Sequence, residues 1–327
     1  MRHALRCLLS LALLAAGVVR LAAGVSEVSI TYLHALSDFS GTVPYNDVKL
    51  YADRLNDEVY AIVGNAVRVF NASGMEIHRF DLDAGVGTVF DLAVDESGDL
   101  FLLGLSLNPA NSGPGWSITR CNYRGQPVGR IAVTGLPKEH ASFRPNVMLY
   151  RGGRFVLASL AQYQVVVIER SGAFQKAYDL VKLLGMKDRD RSKNDIAAFS
   201  MDRRDNMLIT IPTLFKAFVI SPEGRVQDVG HAGSSPGAFG VVAGIVADEQ
   251  GNLIVADRGR GVVMVFDEKL EFVTEFGSGG DRTGGLVRPT DLTMGASGKL
   301  YVTQARDRGV AVLRVGGGGG STGVQPD

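Results

Sequence analysis

Residues 243–256 read AGIVADEQGNLIVA, which is an apolar run, a polar turn that contains glycine, and a second apolar run. Residues 90–103 (FDLAVDESGDLFLL) and 290–303 (TDLTMGASGKLYVT) repeat this layout, with glycine at the same point of the turn. Glycine suits a tight hairpin turn because it adopts a positive φ without steric cost. The chain therefore contains several copies of one unit, each typical of two strands joined by a turn. Weaker copies begin at residues 50, 147 and 198.

The spacing of these six copies predicts the fold. The second apolar run of each copy begins 41, 55, 52, 46 and 47 residues after that of the copy before it. Most copies are followed by a third run rich in Val and Phe, then by a turn and a fourth strand. Four short strands in each repeat, with no long segment of helical periodicity, predict an all-β protein. We expect a six-bladed β-propeller of four-stranded antiparallel blades.

The two ends of the chain complete this prediction. The sixth copy ends at Val315 without a fourth strand, whereas residues 27–36 have strand character and belong to no blade. We therefore expect the N-terminal strand to complete the sixth blade, close the ring and remove two exposed sheet edges. The predicted domains are a signal peptide at 1–24, the propeller at 25–315 and a flexible glycine-rich tail at 316–327.

The first 24 residues have the layout of a secretory signal peptide. A basic start is followed by thirteen residues without a charge, Cys7 to Val19, and then by a stretch of small residues. As a helix this run spans about 20 Å, which is too short for the roughly 30 Å core of a bilayer. The segment predicts export to the periplasm or the extracellular space. The alternative is an uncleaved leader that anchors the protein in the membrane.

Composition and charge exclude several classes of function. The 327 residues contain 34 basic and 34 acidic side chains, five His and two Cys. Cleavage of the leader removes Arg2, Arg6 and Arg20 and leaves 31 basic residues, a net charge of about −3. Such a chain is a poor nucleic-acid binder, because that role needs excess positive charge. Two cysteines cannot form a disulfide scaffold, and the one left after cleavage, Cys121, lies in an apolar strand and is expected to be buried.

One blade carries a family signature. Residues 255–267 (VADRGRGVVMVFD), followed by FGSGG at 276–280 and LVRP at 286–289, resemble an NHL repeat. The resemblance extends in register over residues 46–315 and implies the six-bladed propeller of secreted bacterial-type NHL repeat proteins. It implies no single function, because NHL propellers include scaffolds, RNA binders and a few lyases. The NHL-like amidating lyases hold zinc with inner-strand histidines, whereas no histidine after the leader lies on a predicted inner strand here.

Three polar residues open predicted inner strands, which line the channel of a propeller. Asp91, Asn146 and Asp291 each precede the second apolar run by nine residues, and Gly244 holds that position in the fifth copy. Oxygen ligands grouped at one channel mouth form the kind of site that Ca²⁺ or another divalent cation favours. The alternative is that Asp and Asn at strand starts accept hydrogen bonds from nearby backbone amides.

A second candidate site lies on the face that carries the loops between blades and between the second and third strands. Arginine binds carboxylates and phosphates through two parallel hydrogen bonds, and a Trp framed by Pro and Gly can anchor a partner. The alternatives are a solvated surface of Arg–Asp pairs and a Trp packed on the propeller. The residues proposed for this site are Trp116, Arg258, Arg260, Arg288, Arg306 and Arg308.

These observations favour an exported, non-enzymatic propeller that binds a protein partner or an anionic ligand through its loop-rich face. The partner would belong to the envelope or the extracellular space. The alternative is a metal-dependent lyase or lactonase, resembling other six-bladed propeller enzymes, in which Asp91, Asn146 and Asp291 hold a cation that polarises a carbonyl. We expect a monomer that binds no nucleic acid, meets the membrane only through an uncleaved leader, and needs no cofactor other than that cation.

Overall fold

The computed structural model describes residues 28–43, 48–82, 87–105, 115–278, 280 and 284–317. The predicted leader and most of the predicted tail lie outside these residues. The strands, in chain order, are β1 Val28–Ala35, β2 Ser37–Asp38, β3 Gly41–Thr42, β4 Lys49–Asp53, β5 Glu58–Val63, β6 Ala66–Phe70, β7 Glu76–Asp81, β8 Val89–Val94, β9 Leu100–Leu105, β10 Trp116–Cys121, β11 Pro127–Ile131, β12 Val147–Arg151, β13 Arg154–Ser159, β14 Gln164–Glu169, β15 Phe174–Asp179, β16 Ala198–Met201, β17 Met207–Ile211, β18 Lys216–Ile220, β19 Val226–Val229, β20 Val242–Ala247, β21 Leu253–Asp257, β22 Val262–Phe266, β23 Phe272–Phe276, β24 Pro289–Met294, β25 Lys299–Gln304 and β26 Val310–Gly317.

Helices are few and short in this structure. The single α-helix of the described chain, α1, spans Leu180–Leu183 in the connection between the third and fourth blades. No helix in the part of the chain that the structure describes is long and apolar enough to cross a membrane. The 3₁₀ helices are Lys138–His140, Asp188–Asp190, Pro212–Leu214 and Ala296–Gly298.

Apart from the small hairpin β2–β3, the strands form six four-stranded antiparallel sheets, which are the blades. Blades one to five are β4–β7, β8–β11, β12–β15, β16–β19 and β20–β23, and blade six consists of β24, β25, β26 and β1. The inner strands are the first strands of blades one to five and β24 of blade six. They surround a central channel, in which β8 contacts β4 and β12, and β20 contacts β16 and β24. The predicted all-β, six-bladed propeller is confirmed.

The ring closes where the two ends of the chain meet. Strand β1 pairs antiparallel with β26, so that Val28 lies opposite Gly317 and Ala35 lies opposite Ala311. The predicted closure by the N-terminal strand is therefore confirmed. Gly316 and Gly317, which the sequence assigns to the tail, instead extend β26 because β1 supplies a pairing partner for them.

The hydrophobic core lies between the faces of adjacent blades. Val67 of blade one and Leu102 of blade two are fully buried in one such layer, and Cys121 joins them. Between blades three and four, Val165 and Ile209 are likewise fully buried. Burial of a side chain of this size stabilises the fold by about 1.5–3 kcal/mol. The predicted burial of Cys121 is confirmed.

An aspartate organises the turn between the first and second strands in four blades. The Asp248 carboxylate accepts hydrogen bonds from the backbone N–H of Gln250 at 2.9 Å and of Asn252 at 2.8 Å. Asp202 accepts the equivalent bonds from Arg204 and Asn206, at 2.8 and 2.9 Å. Asp53 and Asp95 bond their own turns in the same manner. These turns define the turn face of the propeller; the opposite loop face carries the connections between blades.

Candidate functional site

The central channel contains a cavity of about 410 Å³ that is lined by residues of all six blades. Along blade one it extends from Lys49, the first residue of the inner strand, to Arg54 and Leu55 in the following turn. Arg54, Leu55 and Arg203 are exposed at the turn face. The cavity therefore reaches solvent on the turn face, opposite the face on which the sequence places the arginine site.

A group of opposite charges lies at the inner end of this cavity. The Lys49 Nζ is 3.6 Å from Asp291 Oδ2 and 3.9 Å from Asp91 Oδ2. We call these three residues the Lys49 cluster. Lys49 and Asp291 keep 33% and 29% of their side chains exposed, which places both in reach of a molecule in the cavity. The Asp91 side chain is only 4% exposed.

Backbone amides hold the two carboxylates in place. Asp91 Oδ1 accepts a hydrogen bond from the N–H of Leu92, and Oδ2 accepts one from the N–H of Met148, both at 2.9 Å. Asp291 Oδ1 accepts from the N–H of Leu292 at 2.9 Å. Because Asp91 also bonds the next blade, its carboxylate ties blades two and three together beneath Lys49.

The electrostatics of the cluster keep the lysine charged and make one carboxyl a weak acid. Burial raises the pKa of Asp91 to about 6, although Lys49 and the two backbone N–H groups oppose this shift. Burial by itself lowers the pKa of Lys49, but the charges of Asp91 and Asp291 outweigh it, so that the pKa is raised overall. The cluster therefore contains an ammonium group beside a carboxyl, Asp91, whose pKa of about 6 is well above the ordinary value of an aspartate.

Three arginines surround the mouth of the cavity, and we call them the rim arginines. Arg54 Nε donates to the carbonyl of Met294 at 3.2 Å, and Arg203 Nη1 donates to the carbonyl of Glu249 at 2.5 Å. Arg151 Nη1 donates to the carbonyl of Asp202. Each guanidinium thus bonds the backbone of a neighbouring blade, which fixes its position at the mouth.

The structure brings together only two of the three residues predicted to hold a cation. Asp91 and Asp291 meet, but the Oδ1 of Asn146 accepts a hydrogen bond from the N–H of Leu160 at 3.0 Å, ahead of the inner strand. The Lys49 ammonium lies within 4 Å of both carboxylates, so this donor set does not fit a divalent cation. Among the residues that the structure describes, no group of three or more His, Cys, Asp or Glu could hold a metal ion.

Turn length explains both the position of Asn146 and the omission of Lys49 from the predicted site. In the strand register, Asp91 lies opposite Leu103, which is the fourth residue of the second apolar run of blade two. Lys49 lies opposite Ile62, which is the fourth residue of the second apolar run of blade one. Lys49 is therefore the equivalent of Asp91, although the longer turn of blade one places it ten residues before that run. Blade three has a shorter turn, so Val147 takes this position and Asn146 precedes it.

The predicted arginine site on the loop face contains one mostly buried arginine and four exposed ones. Arg260 donates two hydrogen bonds to the Glu275 carboxylate, at 2.9 and 2.8 Å, and a third to the carbonyl of Ala238 at 3.1 Å. Its side chain is only 17% exposed, so it holds blade five together and is not presented to a partner. The arginines exposed on this face are Arg258, Arg288, Arg306 and Arg308.

Trp116 is part of the core and does not project from its loop. It is the first residue of β10 and is 3% exposed. The indole Nε1 donates to the carbonyl of Phe143 at 2.9 Å, and the ring packs edge-on against the Phe143 ring. A Trp in this position cannot anchor a partner, because the strand directs it between blades two and three. Residues 106–114 of the same loop lie outside the described residues.

We expect Trp116→Phe to lower the free energy of unfolding by about 2 kcal/mol, because it removes buried ring volume and the indole hydrogen bond, which leaves the Phe143 carbonyl with only its bond from Arg144 Nη1. The variant should bind any loop-face partner as the wild type does. Urea unfolding followed by circular dichroism measures the change, since the substitution removes the only Trp of the chain. An unchanged midpoint would show that this hydrogen bond does not stabilise the fold.

The comparisons with known proteins concern the fold. Neither the protein-family models nor the curated proteins give a match to this sequence. Among solved structures, a protein of unknown function from Bacteroides thetaiotaomicron VPI-5482 is similar with a TM-score of 0.61 and 14% identity, covering 89% of this chain and 77% of that one. A putative gluconolactonase is similar with a TM-score of 0.54 and 11% identity, covering 88% and 92%.

A streptogramin B lyase is similar in the same way, with a TM-score of 0.52, 12% identity, and coverage of 88% of this chain and 98% of that one. At these identities the likeness shows a shared six-bladed propeller fold. The NHL-repeat family that the fifth blade resembles is not confirmed.

Proposed function

We propose that this protein is a non-enzymatic propeller that binds a small organic molecule in its channel cavity. The observation that carries the proposal is the Lys49 cluster, which places a partly exposed ammonium group and a partly exposed carboxylate at the inner end of a cavity open to solvent. A volume of about 410 Å³ lies within the range of pockets for small organic ligands.

The chemistry of the lining indicates what such a ligand carries. An ammonium group donates three hydrogen bonds and a carboxylate only accepts them, so together they match a group that does both, such as a hydroxyl. Tyr51, Leu149 and Tyr150 line the cavity between the cluster and the mouth, and they supply apolar surface for a ring or chain. Tyr51 is held by a hydrogen bond from its hydroxyl to the carbonyl of Val94 at 2.9 Å. We therefore infer a ligand with a hydroxyl at its inner end and an apolar body.

Lys49→Met tests this proposal with a neutral probe, 3-(4-hydroxyphenyl)propanamide. We expect the wild type to bind the probe and the variant to bind it at least tenfold more weakly, because the phenol loses its ammonium donor. Isothermal titration calorimetry measures both affinities. Lys216→Met is the matched control, since Lys216 also pairs with a carboxylate, Asp228, but lies outside the channel. Equal binding by the Lys49 and Lys216 variants would overturn the proposal.

The names of the structural neighbours suggest a second candidate, a lyase or lactonase that uses the same cavity. The observation in its favour is the Asp91 carboxyl, because a pKa of about 6 suits a general base that works near neutral pH. Lactone hydrolysis or elimination that is lost in Asp91→Asn would support this candidate. Binding without turnover, unchanged by Ca²⁺ or by EDTA, would support the non-enzymatic binder over the metal-dependent alternative.

Export of the chain and a protein partner on its loop face stay predictions. If such a partner exists, the exposed arginines of that face are the residues that would meet it. Capture of a partner from the envelope fraction by the wild type, and not by a variant with all four arginines changed to Gln, would test this. The four positions are Arg258, Arg288, Arg306 and Arg308.

A further inference from the structure

Charges at the mouth of the channel cavity are distributed unevenly among the blades. The rim arginines Arg54, Arg151 and Arg203 come from blades one, three and four, and all three line the cavity. The confined mouth lowers the pKa of the Arg54 guanidinium by desolvation, and the like charges of Arg151 and Arg203 lower it further against the attraction of Glu249. Arg54 therefore lies close enough to Arg151 and to Arg203 to interact with both charges.

Most of the carboxylates at this mouth are already engaged. Asp53 and Asp202 accept backbone bonds within their own turns. Asp95 accepts hydrogen bonds from Arg170, the shorter at 2.7 Å, and is 2% exposed. Glu96 of blade two is the remaining acidic residue that lines the mouth. In the part of the chain that the structure describes, none of these acids forms an ion pair with Arg54 or Arg203, so both guanidinium groups can still meet an anionic group in the cavity.

The rim arginines also keep donors that the fold does not use. A guanidinium has five N–H donors, and Arg54 uses only its Nε for the carbonyl of Met294, while Arg203 uses only Nη1 for that of Glu249. The terminal N–H pair of Arg54 has the spacing that binds a carboxylate with two parallel hydrogen bonds. Next to it, Leu55 is 70% exposed and lines the cavity, where it offers apolar surface to a ligand.

We propose that the rim arginines form a carboxylate-binding subsite, so that the ligand of the channel is a hydroxylated organic acid. Its acid group lies at Arg54 and Arg203, its hydroxyl lies at the Lys49 cluster, and its body contacts Leu55 and the tyrosines. In a strand the Cα atoms of Lys49 and Arg54 are separated by about 16 Å, and both side chains shorten that span. A single ring with a short acid chain matches this distance. The inference rests on the proposed function and names its ligand class.

The test compares two probes that differ only in charge, 3-(4-hydroxyphenyl)propanoate and its primary amide. We expect the wild type to bind the acid roughly tenfold more tightly than the amide, because a charge-assisted bidentate pair is stronger than a neutral contact. In the double variant Arg54→Gln, Arg203→Gln this preference should fall to about twofold, with the affinity for the amide unchanged. High salt should weaken binding of the acid and not of the amide.

Two control variants sharpen the result. Arg225→Gln removes an arginine of the same face that is 84% exposed and paired with Glu223, outside the channel, and it should keep the full preference. Arg54→Lys keeps the positive charge but loses the two parallel N–H donors, and it should keep part of the preference for the acid over the amide. Equal binding of acid and amide by the wild type, with both lost in Lys49→Met, would overturn the subsite alone. Failure of both probes to bind the wild type would overturn the channel proposal as well.

Discussion

Replacing Asp257 with Ala is expected to lower the free energy of unfolding by about 4 kcal/mol, because charged hydrogen bonds in the core would be lost. Asp257 is fully buried at the end of β21. Its carboxylate accepts the N–H groups of Gly240 and Val241 at 2.6 and 2.9 Å, and those of Gly259 and Arg260 at 2.9 and 3.0 Å. One side chain thus joins two loops of the loop face.

Asp257→Asn should lower the free energy of unfolding by about half as much as Asp257→Ala. Its single oxygen can still accept the three bonds that converge on Asp257 Oδ1, whereas its NH₂ group would face the N–H of Gly240. Asp188→Ala is the control, since that side chain is 94% exposed, and it should change the unfolding free energy by less than about 0.5 kcal/mol. Urea unfolding gives all three values. A loss in Asp257→Ala no greater than in Asp188→Ala would show that the loops do not depend on this carboxylate.

The second large effect concerns pH. Asp91 has a pKa of about 6 in the folded protein and an ordinary value near 3.8 when unfolded. Between these values the folded state binds more protons at Asp91, so the contribution of this group to stability is largest below pH 4 and falls as the pH rises towards 6. A shift of about two pH units corresponds to about 3 kcal/mol of unfolding free energy. We expect this group alone to cause a loss of that size between pH 4 and pH 7.

Other carboxyls act in the opposite direction, so the test is a difference between two proteins. Hydrogen bonds from Ser40 lower the pKa of Asp38, for example, which favours the folded state at higher pH. Asp91→Asn has no proton to lose at this site, so its unfolding free energy should not show this decrease between pH 4 and pH 7, whereas Asp188→Asn should show it. Denaturant unfolding at intervals from pH 4 to pH 7 measures both curves. Parallel curves for the wild type and Asp91→Asn would contradict the assignment of the shift to Asp91.

The fold was predictable from the sequence because a propeller repeats the same hydrophobic pattern. The apolar runs recur in each blade and the turn glycine recurs in three of them, and a missing strand at one end of the chain matches a spare strand at the other. The family signature was less informative, because the blades join their loops with different side chains. Blade five uses Asp257, blade six uses Gln304, which accepts from the N–H of Val287 at 2.8 Å, and blade three uses Gln162 for the N–H of Arg144.

The candidate site was predictable only in part. Asp91 and Asp291 stand at a fixed distance before the second strand, but Lys49 is shifted by the longer turn of its blade. Only the strand register shows that the three are equivalent. Two of the rim arginines could be found in the sequence by aligning the turns between the first and second strands. The aspartate that organises this turn in four blades is followed by a basic residue in two of them, Arg54 and Arg203, and by an acidic residue in the other two, Glu96 and Glu249.

Closure of the ring by β1 and β26 also governs the order of assembly. The pairing joins residues 28–35 to residues 310–317, so the last blade cannot form until nearly the whole chain has been synthesised. Until then, β1 has no partner strand, and the β1 of one molecule can pair with the β26 of another. Strand exchange between copies is therefore the characteristic misassembly of this propeller, and slow refolding at high protein concentration should produce dimers with native blades.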